Sequence, residues 1–279
     1  MNRYWLPAVM VLTCVVTLAT ATPTFASPEK DLKDAQEFFK KKFPKVAFDD
    51  FSNGIYALDA SLRAQWESIM EFAPYEIELE KGEKLFKTPF KNGKTYSSCF
   101  RNGGLAIANE YPYWDSKTSQ IKTMPMEVNE CRERNGEKPL AYEKGDIAAI
   151  VAYMYNSARG KRFSVKVPKE ALEAYEKGKQ TYYTRRGQLN FACYHCHMDN
   201  AGLKVRSNLL GAAIGQASPF PVYRSQWGEL GTIDRRYRQC YEQVRAKAPP
   251  SQSEELRNLE FFHTHLSNGL PLTAPGARE

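Results

Sequence analysis

One stretch decides the fold of this chain: Cys193-Tyr194-His195-Cys196-His197. Its spacing is C-x-x-C-H, the attachment sequence for a c-type haem. Two cysteines separated by two residues can each form a thioether to one haem vinyl group, and the histidine that follows then lies under the iron as its proximal ligand. Half a zinc site is the alternative, but such a site needs further ligands at paired spacing, and the chain has no second C-x-x-C. The motif predicts one covalently bound haem c, attached to Cys193 and Cys196 and ligated by His197.

The first 26 residues have the pattern of a secretory signal peptide. One early cation, Arg3, precedes an apolar run, and Thr24-Phe25-Ala26 ends the segment with small residues at both key places. A membrane anchor is the alternative, but the core run, residues 6–21, is shorter than the roughly 20 residues that a span needs. Leu12-Thr13-Cys14 weakly resembles a lipoprotein cleavage site, with Thr13 a poor residue there. An exported chain with C-x-x-C-H indicates the bacterial periplasm, where disulfides persist.

Removal of residues 1–26 leaves 253 of the 279 residues, enough for two ordinary domains or one large one. The net charge is +7, or +6 without Arg3. A mildly basic exported protein suits anionic substrates or acidic partner proteins, and no basic tract is dense enough to predict nucleic-acid binding. We expect no membrane span in the mature form.

The mature chain is expected to begin with a helical extension, residues 27–77. Ser27-Pro28 is a helix start, with a capping serine and a proline in the first turn. Leu32, Ala35, Phe38 and Phe39 would then share one face of this first helix. A second amphipathic helix is predicted over residues 59–72, with its apolar residues inward, namely Leu62, Trp66, Ile69 and Met70.

The rest of the chain contains an internal repeat. Gly82 precedes Cys99 by 17 residues, and Gly178 precedes Cys193 by 15. Cys131 precedes Gly160 by 29 residues, and Cys240 precedes Gly269 by the same number. Helical patterns lie inside both cysteine-to-glycine intervals, over residues 146–157 and 254–266. A fixed internal period of this kind indicates duplication.

Each copy would consist of a helix, a cysteine segment, an irregular stretch with a second cysteine, and a closing helix. This is the outline of a cytochrome c domain. The sequence therefore predicts a mainly α protein of two cytochrome c-like domains, residues 78–165 and residues 166–279, behind the N-terminal helical extension. The first of the two is expected to be haemless.

The first copy lacks two of the three attachment residues. Its motif position reads Cys99-Phe100-Arg101-Asn102-Gly103, so Asn102 replaces the second cysteine and Gly103 the histidine. Cys99 and Cys131 would most naturally pair in an oxidising compartment, although two free buried thiols are the alternative. A disulfide closing a loop of about 30 residues restricts the unfolded chain by roughly 3–4 kcal/mol.

The distal ligand of the haem is not a methionine. The last methionine is Met198, next to the proximal histidine, so it cannot reach around the ring. Candidates are Cys240, His263 and His265, or no protein group at all. The two histidines are two residues apart on the closing helix and point in different directions, so at least one is expected to be exposed.

Cys240 stands out because every other mature cysteine has an expected partner. If its segment is helical, Arg236 lies one turn before it on the same face. A nearby guanidinium favours the thiolate, which binds metals and attacks electrophiles, and it can hold an oxyanion such as a sulfonate. For Arg235 and Arg238 we favour a solvated basic face, or a contact with haem propionates or a partner.

Several stretches together resemble the SoxA family, the A subunits of the Sox thiosulfate-oxidising system. They are Cys193-x-x-Cys196-His197, Tyr223-Arg224-x-x-Trp227, Gly231-Thr232-x-x-Arg235-Arg236-Tyr237-x-x-Cys240 and Asn268-Gly269-Leu270-Pro271. The resemblance covers nearly the whole mature chain. The chain resembles the family members that carry one haem, because Asn102 and Gly103 stand at the first motif position. The family's cysteine pair in that region matches Cys99 and Cys131.

The resemblance implies an L-cysteine S-thiosulfotransferase, which joins thiosulfate oxidatively to a cysteine of a carrier protein, SoxYZ. It implies a haem ligated by His197 and Cys240, with Cys240 carried as a persulfide, and Arg236 as the substrate-binding arginine. A companion c-type cytochrome subunit, SoxX, would receive electrons. The sequence leaves open whether Lys204, Arg206 and Arg224 line the substrate channel. The alternatives are a plain electron-transfer cytochrome and a non-catalytic assembly module.

Overall fold

The computed structural model describes Met1 and residues 27–278, so the predicted signal peptide lies outside the described residues. Residues 27–278 contain eight α-helices: α1 (Pro28–Lys42), α2 (Ala60–Met70), α3 (Glu76–Lys87), α4 (Met124–Arg134), α5 (Asp146–Asn156), α6 (Leu172–Tyr183), α7 (Ile233–Gln243) and α8 (Glu254–His265). The mainly α fold class is therefore confirmed. The two predicted closing helices, residues 146–157 and 254–266, match α5 and α8 to within one residue at each end.

The strands are short. In chain order they are β1 (Tyr113–Asp115), β2 (Gln120–Lys122), β3 (Lys204–Val205), β4 (Asn208–Leu209), β5 (Val222–Arg224), β6 (Glu229–Gly231) and β7 (Gly276–Arg278). β1 and β2 form an antiparallel hairpin, as do β3 and β4. β5 is the centre of a three-stranded sheet, antiparallel to β6 and parallel to β7, with Val222 opposite both Gly231 and Gly276. β7 thus lies beside β5, far back in the sequence.

The repeat is visible as two crossed helix pairs. α3 crosses α5 at Gly82, where a Cβ would lie 2.0 Å from the carbonyl oxygen of Ala149. α6 crosses α8 at Gly178, where a Cβ would lie 2.0 Å from the carbonyl oxygen of Asn258. Only glycine allows so close an approach of two backbones. The two glycines that revealed the repeat in the sequence are therefore the contact points of its helices.

The sequence predicted an irregular stretch between the attachment segment and the closing helix, and this prediction is wrong. In each copy it is a hairpin followed by a helix, β1–β2 with α4 and β5–β6 with α7. Both hairpins follow an aromatic-proline pair, Tyr111-Pro112 and Phe220-Pro221, joined in each case by a cis peptide bond. Cys131 follows Pro112 at the same spacing as Cys240 follows Pro221. The two cysteines thus hold the same place on equivalent helices.

The N-terminal extension packs mainly on the second copy. Ala35 and Phe39 of α1 are buried in one core cluster with Tyr175 and Phe261, whereas Phe38 is exposed, against expectation. Lys179 of α6 donates to Asp31 at 2.7 Å. The extension is therefore tied to the second copy by both apolar and ionic contacts.

The second helix of the extension is shorter than predicted and less buried. Asp59 caps α2, and its carboxylate accepts the backbone N–H groups of Ser61 and Leu62. None of its residues is buried, and Ile69, expected to point inward, is 41% exposed. The apolar pattern predicted the helix correctly but overstated the surface against which it packs.

The predicted boundary between residues 165 and 166 stays a prediction. The C-terminal Leu272 and Ala274, assigned to the second domain by that boundary, pack in the core cluster of the first copy with Phe86 and Met154. Among residues 27–278, no helix is long and apolar enough to cross a membrane.

Candidate haem and thiol site

The attachment motif lies on a short helical segment. Cys193 and Tyr194 are helical, and His195–Asp199 continue as a π-helix. The Nδ1 atom of His195 accepts the backbone N–H of Ala192 at 3.0 Å, which satisfies a donor at the start of the segment. Tyr194 packs on Tyr183 of α6, with ring centroids 5.2 Å apart. The helical turn brings both cysteines and the final histidine to one side, as haem attachment requires.

His197 is held by two polar neighbours. Its Nδ1 atom lies 3.0 Å from the carbonyl oxygen of Gly211 and 2.7 Å from the side-chain amide nitrogen of Gln216, which is also 3.2 Å from Nε2. Because a carbonyl oxygen can only accept, the contact with Gly211 favours a proton on Nδ1 and a lone pair on Nε2. Burial first, and then the guanidinium of Arg236, lower the pKa of His197 to about 4, while the contact with Gly211 acts in the opposite direction. The imidazole is therefore neutral at physiological pH, the form that binds iron.

Three thiols are electrostatic neighbours in the second copy. Burial raises the pKa of the Cys193 thiol to about 12, and the sulfur of Cys240 contributes to the increase ahead of that of Cys196. The pKa of Cys196 is likewise raised, by burial first and then by Cys240, while Arg236 opposes the increase. The structure thus brings together the residues that the sequence proposed separately, the attachment motif with Cys240 and Arg236.

Two arginines approach Cys240 from different elements. Arg236 lies one turn before it on α7, where its Nη1 donates to Gln239 at 2.9 Å. Arg224 comes from β5. Burial first, and then the positive charge of Arg236, lower its pKa to about 10, while Cys240 acts in the opposite direction. Arg224 also lies over the ring of Trp227, 5.3 Å from its centroid. The site therefore holds two guanidiniums beside one thiol.

Arg224 is the residue whose role the sequence left open. It is a member of the site because Trp227, in the turn after β5, packs against both Arg224 and Arg235 of α7, and the β5–β6 hairpin that places it there was not predicted. Lys204 and Arg206, the other two undecided cations, are exposed on and after β3. Their exposure gives them no comparable place in the site.

Arg235 and Arg238 do not form the solvated face favoured in the sequence analysis. Arg235 stacks on Trp227 at 4.3 Å and donates to Glu229 at 3.2 Å. Arg238 donates to Glu143 of the first copy and to the carbonyl oxygen of Pro249. Both therefore hold structure together, since one fixes the hairpin against α7 and the other joins the two copies.

His263 and His265 are both buried, so the expectation that at least one is exposed is wrong. His263 is 3% exposed, accepts the Tyr237 hydroxyl through Nδ1 at 2.9 Å, and donates through Nε2 to Ala213. His265 is 5% exposed and lies against the carbonyl oxygens of Val165 and Pro28, each 3.1 Å from a ring nitrogen. Helix α8 is covered on two sides, so residues two apart are both enclosed. With both nitrogens engaged, neither ring offers a free lone pair to iron.

The donor set of the second copy fits a covalently attached haem. Two thiols stand on one helical turn, an imidazole presents Nε2, and a third sulfur comes from α7 on another element. The buried hydroxyl of Tyr182, whose pKa is raised well above its ordinary value by burial and then by Cys193, has no hydrogen-bond partner among the described residues. Such a buried polar atom beside two attachment thiols is consistent with a site that a further group completes.

The equivalent place in the first copy is closed. Cys99 and Cys131 form a disulfide with their Cα atoms 5.8 Å apart, which confirms the predicted pair. Asn102 and Gly103 have φ angles of 49° and 61°, so the chain turns left-handed where the second copy is helical. The first motif has therefore lost the backbone conformation as well as the side chains that attachment needs.

These features define the class: a c-type cytochrome built from two related units. Residues 81–163 match the family model described as SoxA/TsdA, cytochrome c domain. The chain is 49% identical over 266 residues to the L-cysteine S-thiosulfotransferase subunit SoxA of Allochromatium vinosum, covering 94% of each chain. It is 48% identical over 272 residues to the subunit of the same name from Chlorobaculum tepidum, covering 95% of each. The chain therefore belongs to the SoxA family.

A solved structure has the same fold. The crystal structure of SoxXA from P. pantotrophus matches with a TM-score of 0.69 at 27% identity, over 74% of this chain and 79% of that chain. The arrangement of two related units is thus shared with a relative of much lower sequence identity than the first two.

Proposed function

We propose that this chain is the catalytic subunit of a periplasmic L-cysteine S-thiosulfotransferase, which joins thiosulfate to a cysteine of the carrier protein SoxYZ. One observation supports this more than any other: the thiol of Cys240 is an electrostatic neighbour of both attachment thiols and lies beside two guanidiniums. An electron-carrying cytochrome needs no such group. A thiol next to paired cations suits an anionic, sulfur-containing substrate.

The overall reaction balances as an oxidation. A carrier thiol and a thiosulfate dianion give the carrier S-thiosulfonate, one proton and two electrons. The new bond joins the carrier sulfur to the outer, sulfane sulfur of thiosulfate. Two electrons leave, one at a time, for a c-type cytochrome.

Arg236 and Arg224 would bind the sulfonate end of thiosulfate. A guanidinium presents two parallel N–H donors to such an oxyanion, and a second guanidinium raises the positive potential of the pocket. Arg224 is partly buried, so its hydrogen bonds to an anion would be less screened by water than those of an exposed arginine. Held in this way, the substrate directs its outer sulfur towards Cys240.

Cys240 would act as the sulfur acceptor. In the first half of the reaction its sulfur bonds to the outer sulfur of thiosulfate, with loss of one proton and two electrons. In the second half the carrier thiolate attacks that outer sulfur and takes the thiosulfonate group, which releases the sulfur of Cys240. The family resemblance adds that this sulfur is carried as a persulfide, which lengthens the arm by one atom.

We propose one haem c in the chain, attached through Cys193 and Cys196 and ligated by His197 and Cys240. A bound haem supplies a one-electron centre and an iron to which a thiolate binds. The fold sets the positions of these ligands, because the carbonyl oxygen of Gly211 orients His197 and helix α7 carries Cys240. Low-spin thiolate ligation predicts a characteristic absorption and electron paramagnetic resonance spectrum, and Cys240→Ser should remove that signature.

The proposed companion is a second c-type cytochrome subunit, SoxX. The matching crystal structure is described as SoxXA, and the relatives of highest identity cited above are named as subunits. Exposed apolar side chains border the attachment segment, among them Phe191, whose ring lies 5.7 Å from that of His195, and Tyr183. An apolar border of this kind suits contact with another protein. Copurification of a tagged companion with the chain, and its loss in Phe191→Asp but not in the remote Phe72→Asp, would test this placement.

The decisive experiment is a reconstituted assay. The mature chain, the companion and the carrier are mixed with thiosulfate, and reduction of a c-type cytochrome is recorded. We expect Cys240→Ser to reduce the rate to background while the haem remains covalently attached. The matched control is Cys99→Ser with Cys131→Ser, the equivalent pair in the first copy, which should turn over normally.

Mass spectrometry of Cys240 supplies the opposing outcome. If Cys240→Ser retains turnover, and Cys240 remains an unmodified thiol after thiosulfate treatment, the chain is an electron-transfer cytochrome and the proposed reaction is wrong.

A further inference from the structure

Trp227 lies in the turn between β5 and β6, where its ring contacts two arginines. The guanidinium carbon of Arg235 on α7 lies 4.3 Å from the ring centroid, and that of Arg224 at the end of β5 lies 5.3 Å from it. A guanidinium within about 6 Å of an indole ring is attracted by the ring. One side chain therefore contacts both the arginine of the hairpin and the helix that carries Cys240.

The indole is held in place by its own surroundings. The backbone N–H of Trp227 donates to the carbonyl oxygen of Arg224 at 2.8 Å, which fixes the turn. A Cβ at Gly231 would lie 2.4 Å from the indole ring, so the glycine leaves the space that the ring occupies. Arg235 donates to Glu229 at 3.2 Å, so the second guanidinium on the ring is also anchored.

Arg224 has a like charge on its other side. The parallel register of β5 and β7 places Arg278 beside Arg224, and register partners point to the same face of a sheet. Arg278 is itself fixed, because it donates to the carbonyl oxygen of Asn53 at 2.7 Å and lies 4.7 Å from the ring centroid of Tyr56. Repulsion between neighbouring like charges directs Arg224 away from β7, and the attraction of the Trp227 ring acts in the same sense.

The corresponding hairpin of the first copy has none of these groups. β1–β2 has the same strand lengths and register as β5–β6. The residues that correspond to Arg224, Trp227 and Gly231 are Asp115, Thr118 and Lys122. The Thr118 hydroxyl donates to Asp115 at 2.6 Å, so a hairpin of this length closes without an aromatic ring. The tryptophan thus occurs in the copy that has the free thiol, and hairpin formation does not require it.

We propose that Trp227 is a positioning residue of the site: its indole holds the guanidinium of Arg224 beside α7, where that guanidinium binds the sulfonate end of thiosulfate. The inference rests on the proposed function, because it concerns substrate binding at the same site. Trp227 acts through Arg224 and not by contact with the substrate. Removal of the ring leaves Arg224 charged but free to turn, so affinity for the anion is lost while the chemical steps are kept.

The test is the reconstituted assay with thiosulfate, in which KM and kcat are measured separately. We expect Trp227→Leu to raise KM by roughly 3- to 30-fold with kcat unchanged, the range that corresponds to loss of a cation–π contact. Trp227→Phe keeps an aromatic face and should recover most of the affinity. Thr118→Leu, at the corresponding exposed position of the first copy, is the matched control and should have the KM of the wild type.

A double variant separates a positioning role from a general structural one. If Trp227 acts through Arg224, the KM of Arg224→Gln with Trp227→Leu should equal that of Arg224→Gln alone. Gly231→Ala places a methyl group against the indole and should raise KM in the same direction, so it supports the same comparison where Trp227→Leu does not fold. The strand accepts such a side chain, because the corresponding residue of the first copy is Lys122.

Two outcomes would overturn the inference while the proposed function stands. One is a wild type that turns over thiosulfate with the same KM as Trp227→Leu. The other is a double variant in which the two increases in KM multiply, since Trp227 would then act independently of Arg224. A wild type that gives no thiosulfate-dependent reduction of the cytochrome would instead refute the proposed function, and the inference with it.

Discussion

The two copies of the repeat solve one packing problem in two ways. Each presses a helix with a central glycine onto a closing helix, and each brings a cysteine on a third helix to the motif position. In the first copy the space beside the crossed helices is filled by aromatic rings, with Phe86 stacked on Tyr96 and Phe90 against the edge of Tyr96. In the second copy the corresponding place has three free thiols and an oriented imidazole. The first copy therefore has aromatic packing and a cross-link at the place where haem attachment is proposed in the second.

The difference also explains why chemistry is expected in one copy only. In the first, the cysteine of the third helix is oxidised to a structural disulfide and buried. In the second, the equivalent sulfur is free and lies beside two guanidiniums. Equivalent positions of the two copies thus hold a structural cross-link in the first and, in the second, the thiol proposed as the sulfur acceptor.

The largest effect is expected from filling the helix crossings. Gly82→Ala and Gly178→Ala each place a Cβ 2.0 Å from a backbone oxygen, which neither helix can avoid without moving apart. In an open helix the same change would add stability, by about 0.5–1 kcal/mol. Here we expect each variant to lose about 4 kcal/mol or more, because overpacking against backbone cannot relax. Urea denaturation followed by circular dichroism and haem absorption measures both.

Exposed residues on the same helices provide the controls. Glu80→Ala on α3 and Glu176→Ala on α6 should change the free energy of unfolding by no more than about 0.5 kcal/mol. If only one of the two glycine variants is destabilised, the halves do not share the crossing, and the proposed equivalence of the copies fails.

The second effect concerns the Cys99–Cys131 disulfide of the first copy. The double variant Cys99→Ser with Cys131→Ser opens a loop whose ends are 32 residues apart and should lower the free energy of unfolding by about 3–4 kcal/mol. The loss should fall on the first copy. The haem absorption spectrum, which reports on the second copy, is expected to remain unchanged below the unfolding transition. Early loss of haem absorption would mean that the two copies unfold as one unit.

Short-range patterns predicted the helices that carry the repeat, and they failed on the parts between them. The glycine and cysteine spacings, the attachment motif and the closing helices were all readable, because each depends on residues close in sequence. The hairpins were missed since their strands are three residues long, too short for an alternating pattern. The signal that could have found them was the pair of aromatic-proline dipeptides, which precede Cys131 and Cys240 at one common spacing.

Long-range packing decided the remaining differences. His265 is buried against Pro28 of α1, 237 residues away in the sequence, and its ring lies against the carbonyl oxygen of that residue. A helical pattern within α8 cannot predict a contact with so distant a segment. Arg224 joins the site because Trp227 packs against both Arg224 and Arg235 of α7. Cys240 and Arg236 were proposed from the sequence because the odd cysteine and the one-turn spacing are local properties. The pairing of Cys99 with Cys131 was predictable from composition and compartment.

A third prediction tests the cation beside the reactive sulfur. Arg236→Gln removes a charged donor from the proposed sulfonate site, and hydrogen bonds to charged groups contribute about 1.5–3 kcal/mol. We therefore expect kcat/KM for thiosulfate to fall by roughly 10- to 100-fold. Arg206→Gln is the control, because this exposed cation after β3 has no comparable place in the site and should leave KM unchanged. An equal loss in both variants would indicate a general effect of net charge.

The smallest change in a single step, about 1.4 kcal/mol for each pH unit, is a pH dependence specific to the second copy. Glu260 of α8 is buried. It precedes Gly269 by the same number of residues as Val151 precedes Gly160, so Val151 is the matching residue of the first copy. Burial first, and then the nearby Asp234, raise the pKa of Glu260 to about 8. Both side chains line a small cavity where the two copies meet, together with Val151.

Glu260 makes the stability of the folded chain fall as the pH rises. Between the ordinary pKa of 4.5 and about 8, the folded chain holds a proton on Glu260 that the unfolded chain has released. The free energy of unfolding should therefore decrease through this window, by about 1.4 kcal/mol for each pH unit. Glu260→Gln should abolish that contribution. The free energy of unfolding of the variant, relative to that of the wild type, should therefore increase from pH 5 to pH 8. Chemical denaturation at several pH values measures the difference, with the exposed Glu176→Gln as the control that should follow the wild type. A constant difference between Glu260→Gln and the wild type would show that Glu260 is ionised in the folded chain, and that the two copies do not differ in this respect.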